Sequence, residues 1–189
     1  MPRGLCFVIT GPSGSGKTTV VTTILERMKS AARLVTTTTR APRDGEIDGV
    51  DYHFISRDEF IARRERNEFL EWAETYGNFY GSSRVELDRL RDAYDPVFAI
   101  VDIQGAAAFR ELVPDAVIVM LTAPIEQLKG RLLRRKQVTD EELARRMAEA
   151  EREMAFAQNC HHTVECRDGE LDRAAFLITS LYAMHRPSY

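Results

Sequence analysis

The run Gly11-Pro12-Ser13-Gly14-Ser15-Gly16-Lys17-Thr18 carries the densest chemistry in this chain of 189 residues. It matches G-x-x-x-x-G-K-[ST] and directly follows the apolar stretch Leu5-Cys6-Phe7-Val8-Ile9. Glycines at this spacing let successive backbone N–H groups point inward at β- and γ-phosphate oxygens. Lys17 adds a mobile positive charge, and the Thr18 hydroxyl can ligate Mg²⁺. Only Lys17, Lys29, Lys129 and Lys136 of the 26 basic residues are lysines, so a lysine at this point is not an arbitrary cation. The bland alternative is a Gly/Ser-rich turn with a coincidental lysine. A strand-like run before the loop and a helix-compatible stretch after it, through Thr19 to Met28, argue against that. The chemistry implied is the binding of a nucleoside triphosphate.

A second constellation lies downstream. In Thr36-Thr37-Thr38-Thr39-Arg40-Ala41-Pro42-Arg43-Asp44-Gly45, two arginines sit three residues apart beside hydroxyls, with a proline stiffening the backbone between them. Two guanidinium forks on a short rigid turn suit a phosphate monoester, although a solvated basic loop would read the same way. Glu71 stands in the apolar run Phe69-Leu70-Glu71-Trp72-Ala73. A strand's period of two puts it on the face of Phe69 and Ala73, pointing into a partly dry space where a carboxylate needs paired donors. Guanine offers two side by side, N1–H and N2–H, whereas adenine presents an acceptor at N1. An internal salt bridge is the competing role for Glu71. The segment Tyr76-Gly77-Asn78-Phe79-Tyr80-Gly81-Ser82 adds phenols and hydroxyls on a Gly-flanked hairpin, and Cys160-His161-His162 with Cys166 could bind zinc. The spacing of that last cluster fits no standard finger, and a metal there is not the expectation.

These groups must be held by an alternation of strands and helices. Strands are expected at 5–10, 34–37, 51–55, 69–76, 97–102, 116–121 and 163–166. Capping boxes at Ser56-Arg57-Asp58-Glu59 and Thr139-Asp140-Glu141-Glu142 open helices toward 66 and 158, with further helices at 18–28, 83–94, 105–112, 125–135 and 171–185. Such alternation predicts an α/β fold with a mostly parallel sheet and right-handed crossovers. The stretch 36–82 breaks the rhythm and reads as an inserted subdomain. Composition is that of one globular domain: 44% hydrophobic, 29% charged, net charge −3. That charge gives no electrostatic case for nucleic acid or a membrane surface, and no run approaches a membrane span. Three cysteines and no leader-like start predict a reducing, cytoplasmic setting.

Taken together, the motifs resemble guanylate kinase. The likeness rests on Gly11–Thr19, on Thr38-Thr39-Arg40-x-Pro42-Arg43-x-Gly45-Glu46, and on Gly49-x-Asp51-Tyr52-x-Phe54. It extends through Glu68-Phe69-Leu70-Glu71-Trp72-Ala73, Tyr76-Gly77-Asn78-Phe79-Tyr80-Gly81-Ser82 and Asp102-x-Gln104-Gly105, covering nearly the whole chain in one order. The resemblance implies a P-loop kinase with a core (1–35, 83–125 and 155–189), a GMP-binding insertion at about 36–82 and a helical lid at about 126–154. It implies ATP-dependent phosphorylation of GMP, and of dGMP as well, with Mg²⁺. Residues Gly11, Pro12, Ser13, Gly14, Ser15, Gly16, Lys17, Thr18 and Thr19 would bind ATP. Arg40, Arg43, Tyr52 and Tyr80 would hold the GMP phosphate, and Thr36, Glu71, Ser82 and Asp102 would read the guanine. By analogy with the family's lid, Arg135 and Arg146 would join Lys17 as catalytic cations.

Four positions depart from the family pattern. Thr36 replaces a serine and keeps the hydroxyl. Ile100 replaces the first acid of a D-x-D-x-Q-G segment, which bears on Mg²⁺ handling. Lys136 stands where the lid usually has glycine, and Cys166 where an asparagine usually lies beside adenine, which bears on donor preference. Two other functions fit the same skeleton: a non-catalytic guanylate-kinase-like interaction module, and a kinase for another monophosphate. Oligomeric state cannot be read from this pattern.

Overall fold

The computed structural model describes residues 3–75, 77–134 and 139–186. Tyr76, Arg135 and Lys136 therefore lie outside the described residues. Two sheets organise the chain. The larger has the order β2-β7-β1-β8-β9, built from β1 (Cys6–Thr10), β2 (Ala32–Leu34), β7 (Val97–Ile100), β8 (Val117–Thr122) and β9 (His162–Glu165), with every pairing parallel. Parallel strands covered on both faces read as continuous apolar runs, and the Cys6-Phe7-Val8-Ile9 run is wholly buried.

Alternate side chains of β1 serve opposite cores. Phe7 and Ile9 pack with Val20 and Ile24 of α1 (Lys17–Arg27) and with Ala174 and Ile178 of α7 (Leu171–His185). Cys6 and Val8 pack with Leu87 and Leu90 of α3 (Arg84–Ala93) and with Ala106 and Phe109 of α4 (Ile103–Leu112). The expected α/β fold with a parallel central sheet is what this chain adopts.

The smaller sheet has the order β4-β3-β6-β5 and mixes directions: β3 (Thr37–Thr38) runs parallel to β4 (His53–Phe54) and antiparallel to β6 (Asn78–Ser83), which pairs with β5 (Phe69–Thr75). The helix α2 (Arg57–Glu65) backs it through Phe60, which stacks on Phe69 at 4.4 Å and on Phe79 at 5.2 Å. The Ser56 hydroxyl caps α2 by accepting from the Glu59 amide, as the capping box predicts. Beyond β8, α5 (Ile125–Arg134) and α6 (Asp140–Ala155) pack together through Leu128, Ala150 and Met154, and a 3₁₀ turn (Phe156–Asn159) leads into β9.

Three expectations needed correction. A single strand at 34–37 is in fact two, because the chain leaves the first sheet after Leu34 and enters the second at Thr37. The strand expected to reach residue 102 stops at Ile100, and Asp102 instead caps α4 by accepting from the Gly105 amide at 2.9 Å. Phe69 and Glu71 do not share a face. A register shift between them turns Phe69 into the aromatic cluster with Phe60 and Phe79, while Glu71 and Ala73 line a cleft on the other side. A one-residue irregularity inverts everything beyond it in a period-two strand.

Candidate active site

The cleft has a volume of about 590 Å³ and lies between the two sheets and α6. One wall is the phosphate loop. Its first glycine, Gly11, has φ 133°, and a Cβ there would fall 2.1 Å from the Leu121 carbonyl oxygen, so no other residue fits. Gly16 caps α1 in the left-handed region (φ 98°), and no side chain caps that helix. The uncapped N–H groups of the first turn are a ready anion site. Lys17 Nζ donates to the Gly11 and Pro12 carbonyls at 2.6 and 3.1 Å, which arches the lysine over the loop. Gly11, Ser13, Gly14, Gly16, Lys17, Thr18 and Thr19 all line the cleft, whereas Pro12 and Ser15 do not. Ser15 is fully buried, and its hydroxyl has no hydrogen-bond partner among the described residues.

The opposite wall comes from the second sheet. Arg40 is held by Glu46, with Nη2 donating to both carboxylate oxygens at 2.8 and 2.9 Å, and its guanidinium lies 5.4 Å from the Tyr52 ring centroid. Glu46 also accepts from the Arg43 amide at 2.7 Å, so one carboxylate fixes both arginine positions. Tyr52 and Tyr80 meet edge to face at 6.1 Å, and burial pushes the Tyr52 phenol up. Thr36, Arg40, Arg43, Tyr52, Tyr80 and Asp102 line the same cleft. Sequence reasoning gave Glu46 no role. Its signal was there: two arginines on one turn need a counter-acid within reach.

Glu71 is buried, and its Oε1 accepts from the Ser82 hydroxyl at 2.5 Å. Burial pushes this carboxyl up to about 7, against the Ser82 hydrogen bond, which favours the charged form, while Asp102 raises it further. Among the described residues Glu71 forms no salt bridge of the competing kind, and its side-chain partner is the Ser82 hydroxyl. Asp102 accepts from the Gly105 amide with Oδ1 and from the Thr75 hydroxyl with Oδ2 at 2.8 Å. Thr75 was missed because a strand-end threonine carries no distinguishing pattern.

Gly105 makes this arrangement possible. A Cβ there would sit 2.8 Å from Val101 Cβ and 3.1 Å from Glu71 Oε2. Gly105→Ala is expected to push against Val101 and displace the Glu71 carboxylate, weakening any ligand held by that carboxylate by about tenfold, since misplacing a binding group by a fraction of an ångström costs about that much or more. Calorimetric titration should show a ligand held only at the phosphate loop bound as before.

The third wall is α6. Glu142, Arg145, Arg146 and Glu153 line the cleft, and Glu142 Oε1 accepts from Arg146 Nε at 3.0 Å and from Arg146 Nη2. Arg135 lies outside the described residues. From α5, Arg131 ties the loop to the far side, donating to the Gly14 carbonyl at 2.9 Å, the Cys166 carbonyl at 3.0 Å and Asp168. Cys166 is buried behind the loop.

The cleft is lined by hydroxyl and carboxylate oxygens, with no thiol or imidazole among its lining residues. Hard oxygen donors beside a phosphate cradle fit Mg²⁺. The Cys160–Cys166 segment instead disperses its ligands. His161 Nδ1 accepts from the Ile118 amide, His162 pairs with His185 at 2.7 Å, and Cys160 Sγ turns back to the Phe156 carbonyl. Among the described residues no group of three or more His, Cys, Asp or Glu could hold a metal ion, and no helix is long and apolar enough to cross a membrane.

The guanylate kinase family model matches residues 4–180. A guanylate kinase from Symbiobacterium thermophilum is 44% identical over 150 residues, covering 79% of this chain and 71% of its own. One from Clostridium perfringens (strain SM101) is 39% identical over 163 residues, covering 86% and 76%. The crystal structure of guanylate kinase from Anaplasma phagocytophilum superposes with a TM-score of 0.81 at 26% identity, covering 100% of this chain and 89% of that one.

Proposed function

This chain belongs to the guanylate kinase family, and on that premise we propose that it transfers the γ-phosphoryl group of ATP to GMP, giving ADP and GDP. The phosphate-loop amides and Lys17 hold the donor's β- and γ-phosphates. Arg40, Arg43, Tyr52 and Tyr80 hold the acceptor phosphate. Glu71 accepts from guanine N1–H and N2–H, with Thr36, Ser82 and Asp102 around the base. The segment 36–82 acts as the acceptor-binding insertion and 126–154 as a lid, with Arg146 and Arg135 closing on the moving group. dGMP presents the same base and is taken as well.

The observation that carries this reading is Glu71: a buried carboxylate, oriented by Ser82, on the cleft wall across from the phosphate loop. The pair Arg40 and Arg43 lines the same wall and supplies charge for the acceptor phosphate. The nucleophile is a phosphate oxygen, anionic near neutral pH, so the chain has to supply alignment and positive charge rather than a general base. The Thr18 hydroxyl is the residue that would hold Mg²⁺ with the triphosphate, and the ion would supply charge neutralisation there. The protein's residues keep the two nucleotides in line and exclude water, so that ATP is not hydrolysed.

An ADP-release assay across GMP, dGMP, IMP, AMP and UMP tests the proposal. GMP and dGMP are expected to be used, with IMP poorer by about 10²-fold or more because its missing amine leaves a carboxylate oxygen unpaired. No turnover with any of them would favour a binding module. Preference for AMP or UMP would overturn the role of Glu71.

A further inference from the structure

One acid in the cleft has no part in the mechanism above. Glu153 lies in the last turn of α6, and its side chain lines the cleft together with Gly11, Ser13, Gly14, Gly16 and Lys17. The Ser13 N–H and the Lys17 ammonium both act on its carboxyl to favour the charged form. An acid has therefore been set against the amides and the lysine of an anion cradle. Ala150 and Met154, on the same turns of α6, pack against Ala123, Leu128 and Ile125 where β8 passes into α5.

We propose that Glu153 is a specificity-determining residue of the donor site: its negative charge opposes a metal-free triphosphate and tolerates the metal-complexed one. The inference rests on the reading that the phosphate loop takes the donor triphosphate. A free triphosphate brings its full negative charge to within a few ångströms of a partly buried carboxylate, where Coulomb repulsion is weakly screened. A divalent cation on the triphosphate removes most of that repulsion and can attract the carboxylate through its bound water. The surroundings make the charge costly already. Burial, with Glu149 on the same helix and Asp102 at the head of α4, pushes Glu153 up to about 7 against the pull of Lys17. Glu142, Arg145 and Arg146 complete the charged groups of α6 that line the cleft.

Calorimetric titration decides the matter, with ATP in excess EDTA and ATP in excess Mg²⁺, at about pH 8.5 so that Glu153 is ionised. The native chain is expected to bind the magnesium complex far more tightly. Glu153→Gln should bind metal-free ATP about tenfold more tightly and the magnesium complex within about twofold of native, shrinking the ratio. Glu151→Gln removes the same charge from an exposed position of the same helix and should leave the ratio unchanged. A native ratio in Glu153→Gln would overturn the proposal, as would an equal change in both affinities. If Glu153→Gln lacks the native near-UV dichroism, the ratio measured on Glu153→Ala decides in the same way. Should the native chain bind neither form, the donor-site reading fails, and the inference with it. GMP affinity measured alongside tells that failure from a misfolded preparation.

Discussion

Lys17→Ala is expected to lower kcat by about 10³-fold while changing GMP affinity by less than about twofold, because in the proposed mechanism the lysine serves the donor phosphates alone. Its ammonium is arched over the loop by the Gly11 and Pro12 carbonyls, so the charge is already in position where the β- and γ-phosphates would lie. Positioned charge is what phosphoryl transfer requires, since the leaving and transferring oxygens gain negative charge with little covalent help from the protein. The proposed acceptor site stands on separate elements: Arg40 and Glu46 belong to the turn after β3, and Glu71 and Ser82 to the β5–β6 pair. Single-turnover rates together with calorimetric GMP binding check the claim. If GMP affinity fell as far as turnover, the assignment of the two walls would be exchanged or wrong. Lys17→Met should behave as Lys17→Ala does, because length without charge restores nothing.

Much of this arrangement is legible in the chain before any coordinates. The phosphate loop is local: glycine positions, a preceding buried strand and a following helix lie within one short stretch and confirm one another. Arg40, Arg43 and Glu71 are legible because charged residues on a stiff turn or inside an apolar run are anomalies that chemistry must explain. What escaped depends on sequence-distant partners. Asp102 reads as the end of a strand, and only the fold reveals that it caps α4 and receives the Thr75 hydroxyl. β4 falls inside the strand expected at 51–55, whereas β3 was merged into the strand expected at 34–37 because it spans two residues, too few for any periodicity. The shift between Phe69 and Glu71 was invisible for a different reason. Period-two reading assumes an unbroken ladder, and the break is set by the pairing with β6. Glu153 looks like one more acid on a charged helix. It becomes distinctive only where α6 crosses the phosphate loop.

Glu71→Gln is expected to reduce kcat/KM for GMP by about 10²–10³-fold and to leave ATP affinity within about twofold. The amide replaces an acceptor with an NH₂ group that faces guanine N–H donors, so a hydrogen bond is lost and two donors are left in opposition in a buried site. The Ser82 hydroxyl cannot compensate: its donor is already spent on Oε1, at 2.5 Å. The same residue gives GMP binding a pH dependence whose sign follows from its raised value. Guanine needs the ionised carboxylate, and burial holds this carboxyl at about 7 rather than at the usual carboxylate range. GMP affinity should therefore weaken as pH falls through about 7 and level off above about 8, because below that value the free site must first release a proton. The GMP phosphate titrates nearby, at about 6, and contributes a slope of its own. Glu71→Gln keeps the phosphate's titration and loses the carboxyl's. The difference between the two pH profiles of GMP affinity therefore isolates Glu71. A native profile that superimposes on that of Glu71→Gln, apart from a constant offset, would mean the carboxylate is not what reads the base.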